Sequence, residues 1–152
     1  MGDRLDAILG DFVTTPWGRL GAEPATAEGM CKRVSLALLA TLDREGVLGQ
    51  LWNMAILDAS DWGGLGHGQH YVVEVDREAL DVTARQFSPD NPFPLREPLE
   101  WAHARWHSAH PVDPDDQWQQ RFTEYITPRW RELPDVAPPG DGLEWPAPPM
   151  RR

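Results

Sequence analysis

Leu5, Ile8, Leu9 and Phe12 recur at the three- and four-residue spacing of a helix stripe, so residues 1–12 read as a short helix. Thr14-Thr15-Pro16-Trp17-Gly18 breaks it, and residues 19–29, rich in Gly, Pro and Ala, read as irregular. Val34, Leu38 and Leu42, with Ala37 and Leu39 beside them, predict a helix over residues 30–43, closed by Gly46. From Val47 to Leu57 the period shortens to a loose alternation, a strand pattern. Residues 58–69 form a connector holding Gly63, Gly64, Gly66 and Gly68. No Lys-Ser/Thr follows these glycines, so they do not build a phosphate loop, although a loop of this length beside a site suits a lid. His70-Tyr71-Val72-Val73-Glu74-Val75 is the clearest strand and Ala79-Leu80-Asp81-Val82-Thr83 a second, with Asp76-Arg77-Glu78 suited to a tight hairpin between them. Ser88 to Pro94 is a rigid turn region. Residues 97–108 and 114–126 read as helices, the second opened by Asp113-Pro114 in cap-then-proline order. From Leu133 onward Pro and Gly dominate, giving an extended or disordered tail that could pack back through Trp145. The pattern predicts an α+β fold: one domain over residues 1–132 followed by a Pro-rich tail over residues 133–152.

Composition narrows the picture. The 152 residues are 41% hydrophobic, enough for a real core. No apolar run approaches the roughly 20 residues of a membrane span, so no membrane partner is expected. Asp3, Asp6 and Asp11 near the start argue against a signal peptide and leave the cytoplasm as the default compartment, with export as an effector by a signal-free route as the alternative. A net charge of −10 argues against nucleic acid, because phosphate binding needs clustered Lys and Arg. Oligomeric state is not legible. The eight tryptophans read as packing residues.

Candidate chemistry starts at Cys31, the only cysteine, placed where the second long helix begins. A thiol there feels the positive end of the helix dipole, which favours the nucleophilic thiolate. Such a nucleophile needs a base, and the base needs an orienting group. With a turn centred on Asp76 and Arg77, Val73 pairs with Leu80 and Val72 meets Asp81. His70 shares the face of Val72, so Asp81 lies diagonally across from it, within roughly 7 Å. The helix led by Cys31 would then pack on that face. Thr83 and Gln86 read as supports of the following turn, and Arg85 as half of a structural ion pair. Glu100, His103 and His107 stand at helical spacing with His110 nearby, but Ala104 occupies the place where a zinc-peptidase helix carries Glu. They read as a solvated face, and no metal and no cofactor are expected.

The ordered set Gly29-Met30-Cys31, then Gly68-Gln69-His70-Tyr71-Val72-Val73-Glu74-Val75, then Leu80-Asp81-Val82-Thr83-Ala84-Arg85-Gln86-Phe87 resembles the papain-like and transglutaminase-like cysteine enzyme superfamily, in particular small bacterial papain-fold proteins that include glutamine-deamidase toxins. The resemblance covers roughly residues 29–94. It implies a papain-like core with the Cys helix on a small antiparallel sheet, and a Cys31–His70–Asp81 triad. It further implies amide chemistry through a thioacyl intermediate, as glutamine deamidation or transglutaminase-type transfer on a protein, peptide or small amide. A cysteine peptidase, or a papain-fold interaction module without catalysis, is the alternative. Papain carries a glutamine shortly before its cysteine to complete the oxyanion hole, whereas this chain has Pro24, Ala25 and Thr26 there. The second donor, or a substrate contact, falls to Gln69, Gln86, Asn53 or Trp52.

Overall fold

The structure is a computed structural model that describes residues 2–27, 30–55, 69–106 and 108–129. Gly29, most of the glycine-rich connector, His107, Trp62, Trp130 and the whole Pro-rich tail, with its boundary at residue 133, lie outside these residues, as do the side chains of Gln69 and Trp118.

Among the described residues, six α-helices surround a five-stranded antiparallel sheet. The helices are α1 (Gly2–Phe12), α2 (Pro16–Arg19), α3 (Pro24–Ala27), α4 (Cys31–Arg44), α5 (Leu99–Arg105) and α6 (Gln117–Ile126). The strands are β1 (Gln50–Ala55), β2 (Gln69–Val75), β3 (Glu78–Asp81), β4 (Leu95–Pro98) and β5 (Ser108–Pro111), in spatial order β4-β3-β2-β1-β5. No helix among the described residues is long and apolar enough to cross a membrane.

Several elements depart from expectation. The expected break at residues 14–18 opens a helix, α2, and within the stretch 19–29 expected to be irregular Pro24–Ala27 form α3. Thr15 accepts the Gly18 N–H on its hydroxyl, and Pro16 pre-sets the backbone for the first turn of α2. Residues 97–108 are not one helix, because the chain enters as β4, turns through α5 and leaves as β5. Those two strands are short and carry Pro98, His110 and Pro111, so they lack the alternating apolar signal. They form because β3 and β1 present open edges to them. Helix α6 starts three residues later than Asp113-Pro114 suggests, with Asp116 as the cap accepting from the Gln119 N–H at 2.8 Å.

The apolar stripe of α4 carries Val34, Leu38 and Leu42, each fully buried, and Gly46 ends the helix at φ +78°. That stripe packs with α1, α6 and the sheet residues Leu51, Tyr71, Val73, Val75 and Leu80 into the main core. Each large side chain buried there contributes on the order of 2 kcal/mol. The opposite face of the sheet carries a smaller core of Met54, Val72, Ala79, Leu99, Ala102 and Trp106, covered by α5. The body of α4 therefore covers the face of Tyr71 and Val73, not the face that Val72 shares with His70 by strand alternation. Close packing also fixes the N-terminal layer. A Cβ on Gly21 would fall 1.8 Å from the Val82 carbonyl oxygen, so only glycine lets this segment lie against the end of β3.

Candidate active site

The hairpin brings a histidine and an acid together. Asp76 and Arg77 both adopt positive φ, 52° and 66°, the turn geometry that matches the twist of two antiparallel strands. This fixes the pairing Val73 with Leu80 and Val75 with Glu78. His70 Nε2 and Asp81 Oδ2 then lie 2.7 Å apart. The other carboxylate oxygen, Oδ1, accepts the Thr83 N–H at 3.1 Å, so both oxygens of Asp81 are held. His70 has no exposed surface and Asp81 has 6%.

Cys31 is the first residue of α4 and is buried, and its side chain hydrogen-bonds His70. Because Nε2 is committed to Asp81, Nδ1 is the ring nitrogen left to serve the thiol. The α4 cap residue, Met30, accepts from Arg33 Nη1 on its Sδ at 3.6 Å but makes no side-chain hydrogen bond to the backbone N–H groups of the helix end. Ser35, one turn into the helix, donates to the Tyr71 carbonyl at 3.2 Å and pins the start of α4 to the start of β2. That anchor lets a helix on one face of the sheet present its first residue to a histidine turned toward the other.

Burial by itself pulls the His70 pKa down. The charge and hydrogen bond of Asp81, followed by those of Cys31, outweigh it and push it up to about 10. His70 is thus an imidazolium at neutral pH, sandwiched in aromatic surroundings. The Trp106 ring stacks on it at 5.0 Å and 17°, and Phe87 meets it edge-on at 4.8 Å. A ring face beside a desolvated cation is favourable. Trp106 reads from the sequence as ordinary packing, and no spacing signal ties it to His70, because α5 carries it back across the sheet. Phe87 is nearer in sequence and closes the Leu80–Phe87 segment.

On the other side of Cys31, the Lys32 ammonium sits 5.3 Å from the centre of the Tyr71 ring. Burial lowers the Lys32 pKa against the opposing pull of Asp116 and Cys31. Burial, then the charges of Cys31 and Asp116, pushes the Tyr71 hydroxyl up to about 12. Cys31 therefore has the His70–Asp81 pair on one flank and a lysine–tyrosine pair on the other.

The candidate donors separate. Gln86 Nε2 donates to Thr83 Oγ1 at 3.1 Å and lies 3.5 Å from His70 Nδ1. Asn53 pairs with Tyr71 across the sheet, on the α4 face, and its Oδ1 is buried with no partner among the described residues. Trp52 donates its indole N–H to Glu74 at 2.8 Å and lays its ring on His103 at 4.6 Å. It is anchored to those two side chains. Gln69 begins β2 opposite Ala55. His103, expected on a solvated face, is half-buried under Trp52 with its Nε2 enclosed. Arg85 donates to the backbone carbonyls of Asn91 and Ala22, both at 2.9 Å, in place of the expected ion pair.

Comparison with protein-family models, with curated proteins and with solved structures returns no match. The functional reading therefore rests on the residues and their geometry.

Proposed function

We propose that the chain is a papain-like cysteine amidase or acyltransferase. The observation that carries the reading is the buried His70–Asp81 pair at 2.7 Å, hydrogen-bonded in turn to a cysteine at the start of a helix. A histidine held protonated beside a thiol is the state that supports a thiolate at neutral pH.

The chemistry follows from the positions. The Cys31 thiolate attacks the carbonyl carbon of an amide, a C–S bond forms, and the C=O π pair moves onto oxygen. The α4 N-terminus stabilises that negative charge. When the oxyanion collapses, the C–N bond breaks and Nδ1 of His70 gives its proton to the departing nitrogen. Ammonia leaves a side-chain carboxamide, or an amine leaves a peptide. Nδ1 then takes a proton from water or an acceptor amine, which attacks the thioester and regenerates the thiolate. Asp81 accepts from Nε2–H and holds the ring in place. The resemblance favours the side-chain carboxamide of glutamine in a protein or peptide as substrate.

Iodoacetamide alkylation of Cys31 across pH tests this. The paired thiolate is expected to react at full rate well below pH 8.5, the approximate pKa of a free thiol. A profile that climbs only through that ordinary range would remove the basis of the proposal.

A further inference from the structure

Resting on that reading, we propose that Gln86 is the second oxyanion donor of the site. Three observations converge on it. First, Gln86 Nε2 lies 3.5 Å from His70 Nδ1, the ring nitrogen left facing Cys31, so its carboxamide borders the bond-making centre. Second, the amide is held in position. Its Nε2 donates to the hydroxyl of fully buried Thr83 at 3.1 Å, and the N–H of that same Thr83 fixes Asp81 Oδ1. One residue thus sets the amide and the acid that orients the base. Third, the stretch ahead of Cys31 offers no carboxamide. Pro24, Ala25 and Ala27 have none, and the Thr26 hydroxyl donates back to the Leu20 carbonyl at 2.7 Å. A donor that precedes the nucleophile in papain is supplied here from the turn after β3.

In the step this serves, the thiolate lone pair forms the C–S bond and the carbonyl π pair becomes an oxygen lone pair. The Gln86 N–H donates to that oxygen while the charge exists and keeps its own proton throughout. While His70 is an imidazolium, Nδ1–H and the amide N–H are both donors, so the 3.5 Å approach is a proximity and not a hydrogen bond, and the amide N–H not given to Thr83 can turn to the oxyanion.

The role separates from simple support of His70 by using two probes of the same thiol. Alkylation by iodoacetamide displaces iodide and develops no oxyanion. Acylation by p-nitrophenyl acetate passes through a tetrahedral oxyanion and releases a burst of p-nitrophenolate. Gln86→Met, which keeps the shape and lacks the donor, is expected to slow acylation by about 10²–10³-fold, the usual cost of one oxyanion donor. Its alkylation rate and pH profile are expected to match those of the wild-type protein. Gln86→Leu checks the same outcome in a second background. Equal losses with both probes would show that Gln86 only positions His70, and unchanged acylation would show no role; either overturns the proposal. A wild-type thiol that reacts with both probes only in the ordinary free-thiol range would overturn the underlying enzyme reading as well, and that result appears before any variant is made.

Discussion

The two faces of the sheet differ in how charge is set into them. On the α4 face, Leu51, Val73, Val75 and Leu80 meet Leu38, Leu42 and Phe122 in the larger apolar core, around which α4 also buries Arg33, Ser35 and Thr41. On the α5 face the apolar cluster is small, and His70, Asp81 and Glu97 are buried beside it. Buried charges are costly unless paired, and each here is paired: His70 with Asp81, and Glu97 with Arg105 at 2.7 Å. One face stores stability while the other spends some of it to hold a charged pair dry. The proposed site thus lies on the face with the smaller apolar cluster.

The sharpest way to break this comparison is at Cys31. Cys31→Ser is expected to remove turnover by on the order of 10⁵-fold or more while leaving the urea midpoint nearly unchanged, because serine keeps the shape of the buried thiol and can take over its hydrogen bond with His70. Ammonia release from a glutamine-containing peptide, read beside an unfolding curve, checks both halves. Turnover that survives would move the chemistry elsewhere. Next in size is the α4 face. Phe122→Ala is expected to cost about 3–5 kcal/mol in urea unfolding, yet the molecules that remain folded should alkylate at the wild-type rate. A parallel loss of thiol reactivity would show that the two faces are not separable.

A smaller effect is expected from pH. Folded His70 keeps its proton to about pH 10, whereas an unfolded histidine loses it near 6.5. The stability contributed by the pair is therefore complete below pH 6.5 and is lost as pH rises through the folded value. The urea midpoint of the wild-type protein should fall across that window more steeply than that of His70→Gln. Equal slopes would mean that the imidazolium is not part of the folded state. The smallest change is Trp106→Leu, at about 1–3 kcal/mol. Its signature is local: water reaches the His70–Asp81 pair, and the pH at which His70 loses its proton, followed by NMR of its ring, falls from about 10 toward the ordinary histidine value. An unshifted titration would make the stacked indole ordinary packing.

How much of this was legible follows from the range of each signal. The hairpin is legible because strand alternation and a two-residue turn fix register over about a dozen residues, which is enough to set His70 beside Asp81. Helix α4 is legible from Val34, Leu38 and Leu42. The side of the sheet on which α4 docks is not, because alternation sorts residues into two faces without saying which one a helix will cover. Strands β4 and β5 are invisible for a related reason: their identity comes from the open edges of β3 and β1, not from their own residues. The contact between Trp106 and His70, thirty-six positions apart, depends on both of those uncertainties at once.

The cap of α4 has a consequence for anyone who would engineer this chain. Met30 is buried and its Sδ accepts from Arg33 Nη1 at 3.6 Å, but it gives the backbone N–H groups of the helix end no side-chain hydrogen bond, where a capping Ser, Asp or Asn contributes about 1 kcal/mol. A routine search for stabilising substitutions would single out this position. A carboxylate installed there would compete with the thiolate for the same positive field, so a sturdier helix would come with a duller nucleophile. If Cys31 is the nucleophile proposed above, stability and reactivity trade against each other at this one residue, with methionine on the reactive side.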